Sequence, residues 1–321
     1  MGGDFGPRLV VPACVDCLQR NPRLEIILVG EPGAIGAALN SAARNLRSRL
    51  HLQPASQSIA MDEPAAQQLR GKADSSMRVA LELVRDGRAQ ACVSAGNTGA
   101  LMALSKHVLQ RLPGIERPAI MTAVPATTGK TYLLDLGANL DCSAEQLVQF
   151  ARMGSAALRL DNIRQPRVAL LNVGTEQNKG NQQVRRANEL LREVRQLNYT
   201  GYVEGDGVFH GAADLVVCDG FVGNVLLKSS EGLARMLAGN LAEHSGANLW
   251  RRLLAMLNAG MWRELRSQWS PDNYNGAWLL GVNGIVIKSH GSAGRRAFAV
   301  AIEHAAEAVE EQLVERLRAI L

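Results

Sequence analysis

Short aliphatic runs and longer stretches of helical period take turns along almost the whole chain. LEIILVG (24–30), LHLQPA (50–55), AQACVSAG (89–96), AIMTAVP (119–125), TYLLDLG (131–137), RVALLNVG (167–174), ADLVVCDG (213–220) and GIVIKSHG (284–291) are near-continuous apolar runs. Most end in Gly, Pro or small polar residues, the pattern of strands buried on both faces. Residues 75–86, 97–111, 143–160, 181–196, 221–244 and 293–319 instead space their apolar positions as on one side of a helix, and predict helices. Strand and helix in alternation predict an α/β protein of three layers, a mainly parallel sheet with helices on both faces. No repeat, low-complexity segment or Pro/Ser-rich linker interrupts the pattern, so residues 1–321 are expected to form a single unit.

Composition narrows the class. The 321 residues are 47% hydrophobic and 4% aromatic, enough for a large aliphatic core. The net charge of +5 comes from arginines scattered along helical stretches, which suits an anionic substrate or surface better than sequence-specific nucleic-acid binding. No apolar run approaches the roughly 20 residues of a membrane span, and no signal-peptide pattern opens the chain, so a cytoplasmic protein is expected. The cysteines, Cys14, Cys17, Cys92, Cys142 and Cys218, are odd in number and lie mostly in apolar runs, which agrees. Cys14 and Cys17 form a C-x-x-C with no second pair or His pair nearby, and read as helix-packing thiols.

The strand exits carry the candidate chemistry. In open α/β sheets ligands sit beyond the carboxyl ends of strands, where helix N-termini favour anions. Five Gly-rich turns occur at such positions or at the start: MGGDFGP (1–7), SAGNTGAL (94–101), NVGTEQNKG (172–180), DGFVGNVLLK (219–228) and KSHGSAGRRA (288–297). They offer Asn97, Thr98, Lys179, Asn224, Lys228, His290, Ser292 and Arg295, with Asn224 and Lys228 spaced to share one helical face. Together they point to phosphate or another multi-oxygen anion. Plain structural readings stand beside these: Lys179 on the surface, Asn224 as a helix cap, Ser292 as the N-cap of the last helix. Asp206, Asp214 and Asp219 allow a divalent-metal reading, but Asp214 opens an apolar strand and Asn224 and Lys228 suit a metal-free anion site. Neither a dinucleotide fingerprint with its acidic ribose ligand, nor a P-loop, nor a G-x-S-x-G elbow is present. No metal and no cofactor are expected.

In order, MGGDFGP, KADSSM, SAGNTGAL, LLDLGANLDC, LLNVGTEQNKG, EGDGVFHGAADLVVCDGFVGNVLLKSSEG and LLGVNGIVIKSHGSA closely resemble the bacterial phosphate acyltransferases of phospholipid synthesis, over essentially the whole chain. The resemblance implies a homodimer with a phosphotransacetylase- and isopropylmalate-dehydrogenase-like fold. It also implies formation of acyl phosphate from acyl-acyl carrier protein and inorganic phosphate. Phosphotransacetylases carry a similar G-N-x-x-x-K element, matched here by Gly223, Asn224 and Lys228. On this reading Lys228, Lys179, Asn97 and Thr98 suit the phosphate, with Gly99, Gly174, Thr175, Asp219, Gly223 and Asn224 completing the substrate loops. His290 or Ser292 would serve the oxyanion or protonate the sulfur. The general base stays open, as does a phosphotransacetylase acting on an acyl-coenzyme A, or a non-catalytic phospholigand or lipid-interface scaffold. Family members have a hydrophobic strand before Met-Gly-Gly-Asp, so the resemblance also implies a first strand upstream of Met1.

The segment 247–269 differs from its surroundings. Trp250, Leu253, Leu254, Leu257, Met261 and Leu265 recur at helical spacing, flanked by Arg251, Arg252, Arg263 and Arg266, and Gly260 permits a bend. A buried core helix is the common reading of such a stripe. Leu249, Met256, Trp262 and Trp269 widen the apolar face beyond one-sided packing. A projecting helical hairpin is therefore expected, resting reversibly on an anionic membrane through Trp250, Leu253, Leu254, Leu257 and Met261. Acyl phosphate would there be handed to a membrane glycerol-3-phosphate acyltransferase.

Overall fold

The computed structural model describes residues 1–39, 44–63, 71–158, 163–246 and 271–319. The 247–269 segment, with its expected membrane contacts, lies outside them. Among the described residues there are ten strands: β1 (Ile26–Gly30), β2 (Leu50–Pro54), β3 (Ala91–Ser94), β4 (Ala119–Ala126), β5 (Gly129–Leu134), β6 (Arg167–Leu171), β7 (Asn198–Val203), β8 (Leu215–Val217), β9 (Ala277–Leu280) and β10 (Ile285–Lys288). The helices described are α1 (Pro7–Arg20), α2 (Pro32–Leu39), α3 (Ser76–Arg85), α4 (Thr98–Val108), α5 (Ala144–Ala157), α6 (Gln182–Glu193), α7 (Gly205–His210), α8 (Gly220–Gly246), α9 (Arg295–Glu310) and α10 (Leu313–Ala319).

The main sheet has the order β3-β10-β9-β4-β5-β8-β6-β7, and β1 and β2 form a parallel pair of their own. Its strands alternate their apolar side chains between two cores, as strands buried on both faces must. Met121, Tyr132, Leu215 and Val217 enter the core covered by α5, α6, α9 and α10. Ile120, Leu133 and Val216 enter the core lined by Met77 and Leu81 of α3, Leu101 and Leu104 of α4, and Val208 of α7. The expected three layers are therefore present. Cys14 and Cys17 pack inside α1, as expected of core thiols, and burial pushes both pKa values up, Cys17 to about 11.

Five of the eight pairings are parallel, but the middle of the sheet is not. The β4–β5 hairpin and the antiparallel neighbours of β9 reverse the strand direction. Thus β3, β10 and β4 run one way, and β9, β5, β8, β6 and β7 the other. Register places Ile287, Trp278, Met121 and Leu134 in one row across the sheet. The oppositely directed halves therefore end almost level with each other, and their loops flank a common crevice.

Two strands escape the sequence pattern. β7 is an edge strand of polar and aromatic residues, with Gly201 at φ +99° and a bulge at Thr200, which has no partner in β6. β9 has only four residues, AWLL. The single helix expected over 293–319 is two, because Gln312 between α9 and α10 has φ +53°.

Candidate functional site

The site is built from the start of α8. Asp219 caps that helix, its Oδ1 accepting from Val222 N at 2.8 Å. Asn224 lies a turn inside the helix, so the cap role belongs to Asp219. Gly220 and Gly223 sit so close to the loop after β5 that a methyl group on Gly223 would collide with the carbonyl of Asp135. That loop is held by the Asp135 carboxylate, which is fully buried. It accepts from Ile120 N at 2.9 Å, Leu136 N at 2.7 Å, Asn139 N at 2.7 Å and Asn139 Nδ2 at 3.0 Å. Burial raises the Asp135 pKa, and these donors oppose the rise. On the rigid loop, Gly137 backs directly onto the side chain of Asn224.

One turn further along α8, Lys228 reaches across the crevice. Its Nζ lies 2.9 Å from Glu231 Oε2 and 3.2 Å from His290 Nε2 in the loop after β10. His290 Nδ1 lies 2.8 Å from Ser292 Oγ. The His290 pKa is lowered by burial, then by the Lys228 charge, so its imidazole is neutral at neutral pH. Both ring nitrogens face a donor, Nε2 the Lys228 ammonium and Nδ1 the Ser292 backbone N–H at 3.3 Å. Ser292 Oγ shares Nδ1 as well, so the hydroxyl and the imidazole are hydrogen-bonded whichever ring nitrogen carries the proton. Ser292 is therefore tied to His290, and the N-cap of α9 is Gly294.

The β10 loop is fixed by Asn275, which accepts from His290 N at 2.9 Å and donates to Ser289 Oγ at 2.9 Å and Ala297 O at 2.8 Å. Two more Gly-rich loops join it. Ser289 N donates to Ser94 O at 2.9 Å, and Asp4 N to Gly291 O at 2.9 Å. Gly2 lies against Gly96, where a Cβ would meet the Gly96 Cα at 2.7 Å. Asn97 caps α4 by accepting from Ala100 N at 2.9 Å and donates to Met61 O at 2.6 Å, leaving Thr98 and Gly99 exposed on the first turn. The loops 1–6 and 94–99 thus meet the 288–292 loop, whose His290 bonds Lys228.

The 172–180 loop is joined by no hydrogen bond among the described residues to the loops 1–6, 94–99 and 288–292. It leaves β6 in the opposite direction, alongside the loops holding Gly223 and Asn224. Asn172 Nδ2 donates to Gly174 O at 3.1 Å, while Thr175 and Lys179 are exposed. No hydrogen bond or ion pair among the described residues joins Lys179 to the Lys228–His290 pair.

The three aspartates of the metal reading have separate tasks. Asp219 caps α8, Asp206 Oδ1 accepts from Gly207 N, and Asp214 forms an ion pair with Arg167 at 2.8 Å. Among the described residues no group of His, Cys, Asp and Glu has a metal-holding arrangement. Sequence reasoning overlooked Lys288, Asp135 and Asn275. For Asp135 a signal existed: it is the lone acidic residue inside the apolar run TYLLDLG. For Asn275, in YNGAW, none did.

The Gly-rich loops and the lysine-histidine pair lie on an α/β/α sheet of the phosphotransacetylase-like fold class. The solved structures agree on the fold. A phosphotransacetylase from Streptococcus pyogenes matches with TM-score 0.60 at 19% identity, covering 95% of this chain and 91% of that one. A branched-chain phosphotransacylase from Enterococcus faecalis matches with TM-score 0.59 at 15% identity, covering 96% of each. The family described as "Fatty acid synthesis protein" matches residues 1–316. Phosphate acyltransferase from Pseudomonas fluorescens (strain Pf0-1) is 56% identical over 99% of this chain and 94% of its own length. That from Pseudomonas aeruginosa (strain UCBPP-PA14) is 55% identical over the same shares. The chain belongs to the phosphate acyltransferase family, and it is an acyltransferase.

Proposed function

We propose that the enzyme transfers a long-chain acyl group from acyl carrier protein to inorganic phosphate, supplying acyl phosphate for phosphatidic acid and phospholipid synthesis. The observation that carries the reading is the Lys228–His290–Ser292 chain of hydrogen bonds, which presents a fixed cation and a hydroxyl donor to one crevice. A phosphate oxygen attacks the thioester carbonyl and forms the new C–O bond. The C–S bond of the tetrahedral intermediate then breaks, and the pantetheine thiolate leaves and takes up a proton. Phosphate is itself the nucleophile, so the protein needs only to position a dianion and stabilise two developing charges. Lys228 and the loops around Asn97 and Thr98 hold the phosphate. Ser292, oriented by His290, donates to the oxyanion or the departing sulfur. The loop carrying Gly174, Thr175 and Lys179 faces the acyl-donor side.

The enzyme acts as a homodimer at the inner face of the membrane. Supporting the dimer, α8 exposes Phe221, Val222, Val225, Leu233, Met236 and Leu237 along its length, an apolar stripe suited to the same helix of a second copy. Supporting the membrane site is the Trp- and Arg-rich pattern of 247–269. Among the described residues no helix is long and apolar enough to cross a membrane. Long-chain acyl-acyl carrier protein with phosphate, assayed beside acetyl-coenzyme A with phosphate, tests the proposal. Turnover of the first and not the second is expected. The reverse preference would make the enzyme a phosphotransacetylase.

A further inference from the structure

Lys288 ends β10 with a half-buried side chain whose Nζ donates to the carbonyl of the next residue, Ser289. Among the described residues no carboxylate forms an ion pair with it. A cation withdrawn from water beside a neutral carbonyl alone is an unfavourable arrangement that proteins keep where an anion is to be received. The charges facing it are Lys228 on α8 and Asp4 in the N-terminal loop, which oppose each other in effect. Asp4 belongs to the loop bonded to Gly291, and Lys228 is bonded to His290, so all four groups border the same crevice. Glu231, the nearest carboxylate on α8, is already shared between Lys228 at 2.9 Å and Arg235 at 3.8 Å. Lys228, Lys288 and Arg235 therefore outnumber Asp4 and Glu231 by one positive charge.

We propose that Lys288 is a second phosphate-binding residue, which with Lys228 clamps the phosphate dianion between β10 and α8. The inference rests on the acyl transfer to phosphate proposed above. It assigns the two lysines different parts: Lys228 is exposed and meets incoming anion, whereas Lys288 is anchored at a strand end and sets where the phosphate comes to rest. The clamp also spans the two oppositely directed halves of the sheet, so bound phosphate draws them together. Its ligand class is a tetrahedral oxyanion, free phosphate or the phosphoryl end of acyl phosphate.

The test is equilibrium binding of inorganic phosphate to the full chain by calorimetry, with Lys288→Met and Lys288→Gln beside wild type. Each variant removes the ammonium and keeps much of the stem. Either folded variant should bind phosphate about tenfold to a hundredfold more weakly. Its thermal midpoint without phosphate should be unchanged or raised, because a buried charge has gone. A merely structural lysine would give a lowered midpoint with unchanged phosphate affinity, and that result would overturn the proposal. Wild type that binds phosphate through Lys288 yet fails to phosphorolyse acyl-acyl carrier protein would leave the clamp standing and remove the functional reading instead. Retained affinity in both variants, with normal turnover, would do the opposite.

Discussion

Lys228 Nζ lies 3.2 Å from His290 Nε2, although the two residues belong to halves of the sheet whose strands run in opposite directions. Helix α8 makes this possible: it starts at the carboxyl end of β8, packs Leu226 and Leu227 on the core, and brings Lys228 to the loop after β10. The crevice is therefore a joint between the halves, and its chemistry depends on where α8 begins.

Replacing Lys228 by Ala should leave the fold intact, since the side chain is partly exposed and makes only surface-type contacts. A charge-assisted contact to phosphate is worth about 1.5–3 kcal/mol, so the phosphate KM should rise roughly tenfold to a hundredfold. Steady-state kinetics at saturating acyl donor measure this, and an unchanged KM would remove Lys228 from the site.

The placement of α8 gives a contrast between two glycines of one helix. Gly223→Ala drives a methyl group into the Asp135 carbonyl and should destabilise the protein and lower turnover. Gly232→Ala meets open space and should stabilise by about 0.5–1 kcal/mol through helix propensity alone. Urea denaturation of the two variants should move in opposite directions.

Lys288 is held at a pKa of about 8 against 10.5 for an ordinary lysine, first by burial and then by the Lys228 charge. Between these values the unfolded chain binds a proton there that the folded chain does not, so stability should rise with pH across that window. The same deprotonation weakens phosphate binding above a pH of about 8. His290, its pKa also lowered, contributes in the same sense at lower pH: stability is lost as pH falls below its ordinary 6.5. Thermal midpoints of wild type and Lys288→Met, followed from neutral to alkaline pH, should converge as the lysine deprotonates.

Much of this was legible in the chain. Eight strands and six helical stretches follow from apolar periodicity because buried parallel strands and amphipathic helices carry strong local patterns. β7 and β9 were not, since an edge strand with Tyr and Thr has no continuous apolar run and AWLL is too short to show a period. The candidate residues were named correctly as strand exits, but their grouping depends on strand direction, which no local pattern encodes. Lys288 carries no sequence signal of its own, although it stands in the same KSHG as His290. Burial of a lysine at a strand end is a property of the packed sheet.

The amphipathic pattern of 247–269 predicts co-sedimentation of the enzyme with anionic liposomes. Leu254→Glu combined with Leu257→Glu should abolish it while phosphorolysis in solution persists. Sedimentation retained by the double variant would exclude the segment as the anchor. Loss of activity together with dissociation to monomers would assign the stripe to the dimer core.

The most direct measurement is the rate of thiol release from long-chain acyl-acyl carrier protein as phosphate is varied, with the acyl product trapped by hydroxylamine. Release should be negligible without phosphate, saturate as phosphate is raised, and match the trapped acyl phosphate one for one. Thiol release that proceeds equally without phosphate, or none at any phosphate concentration, would contradict acyl transfer to phosphate at this crevice.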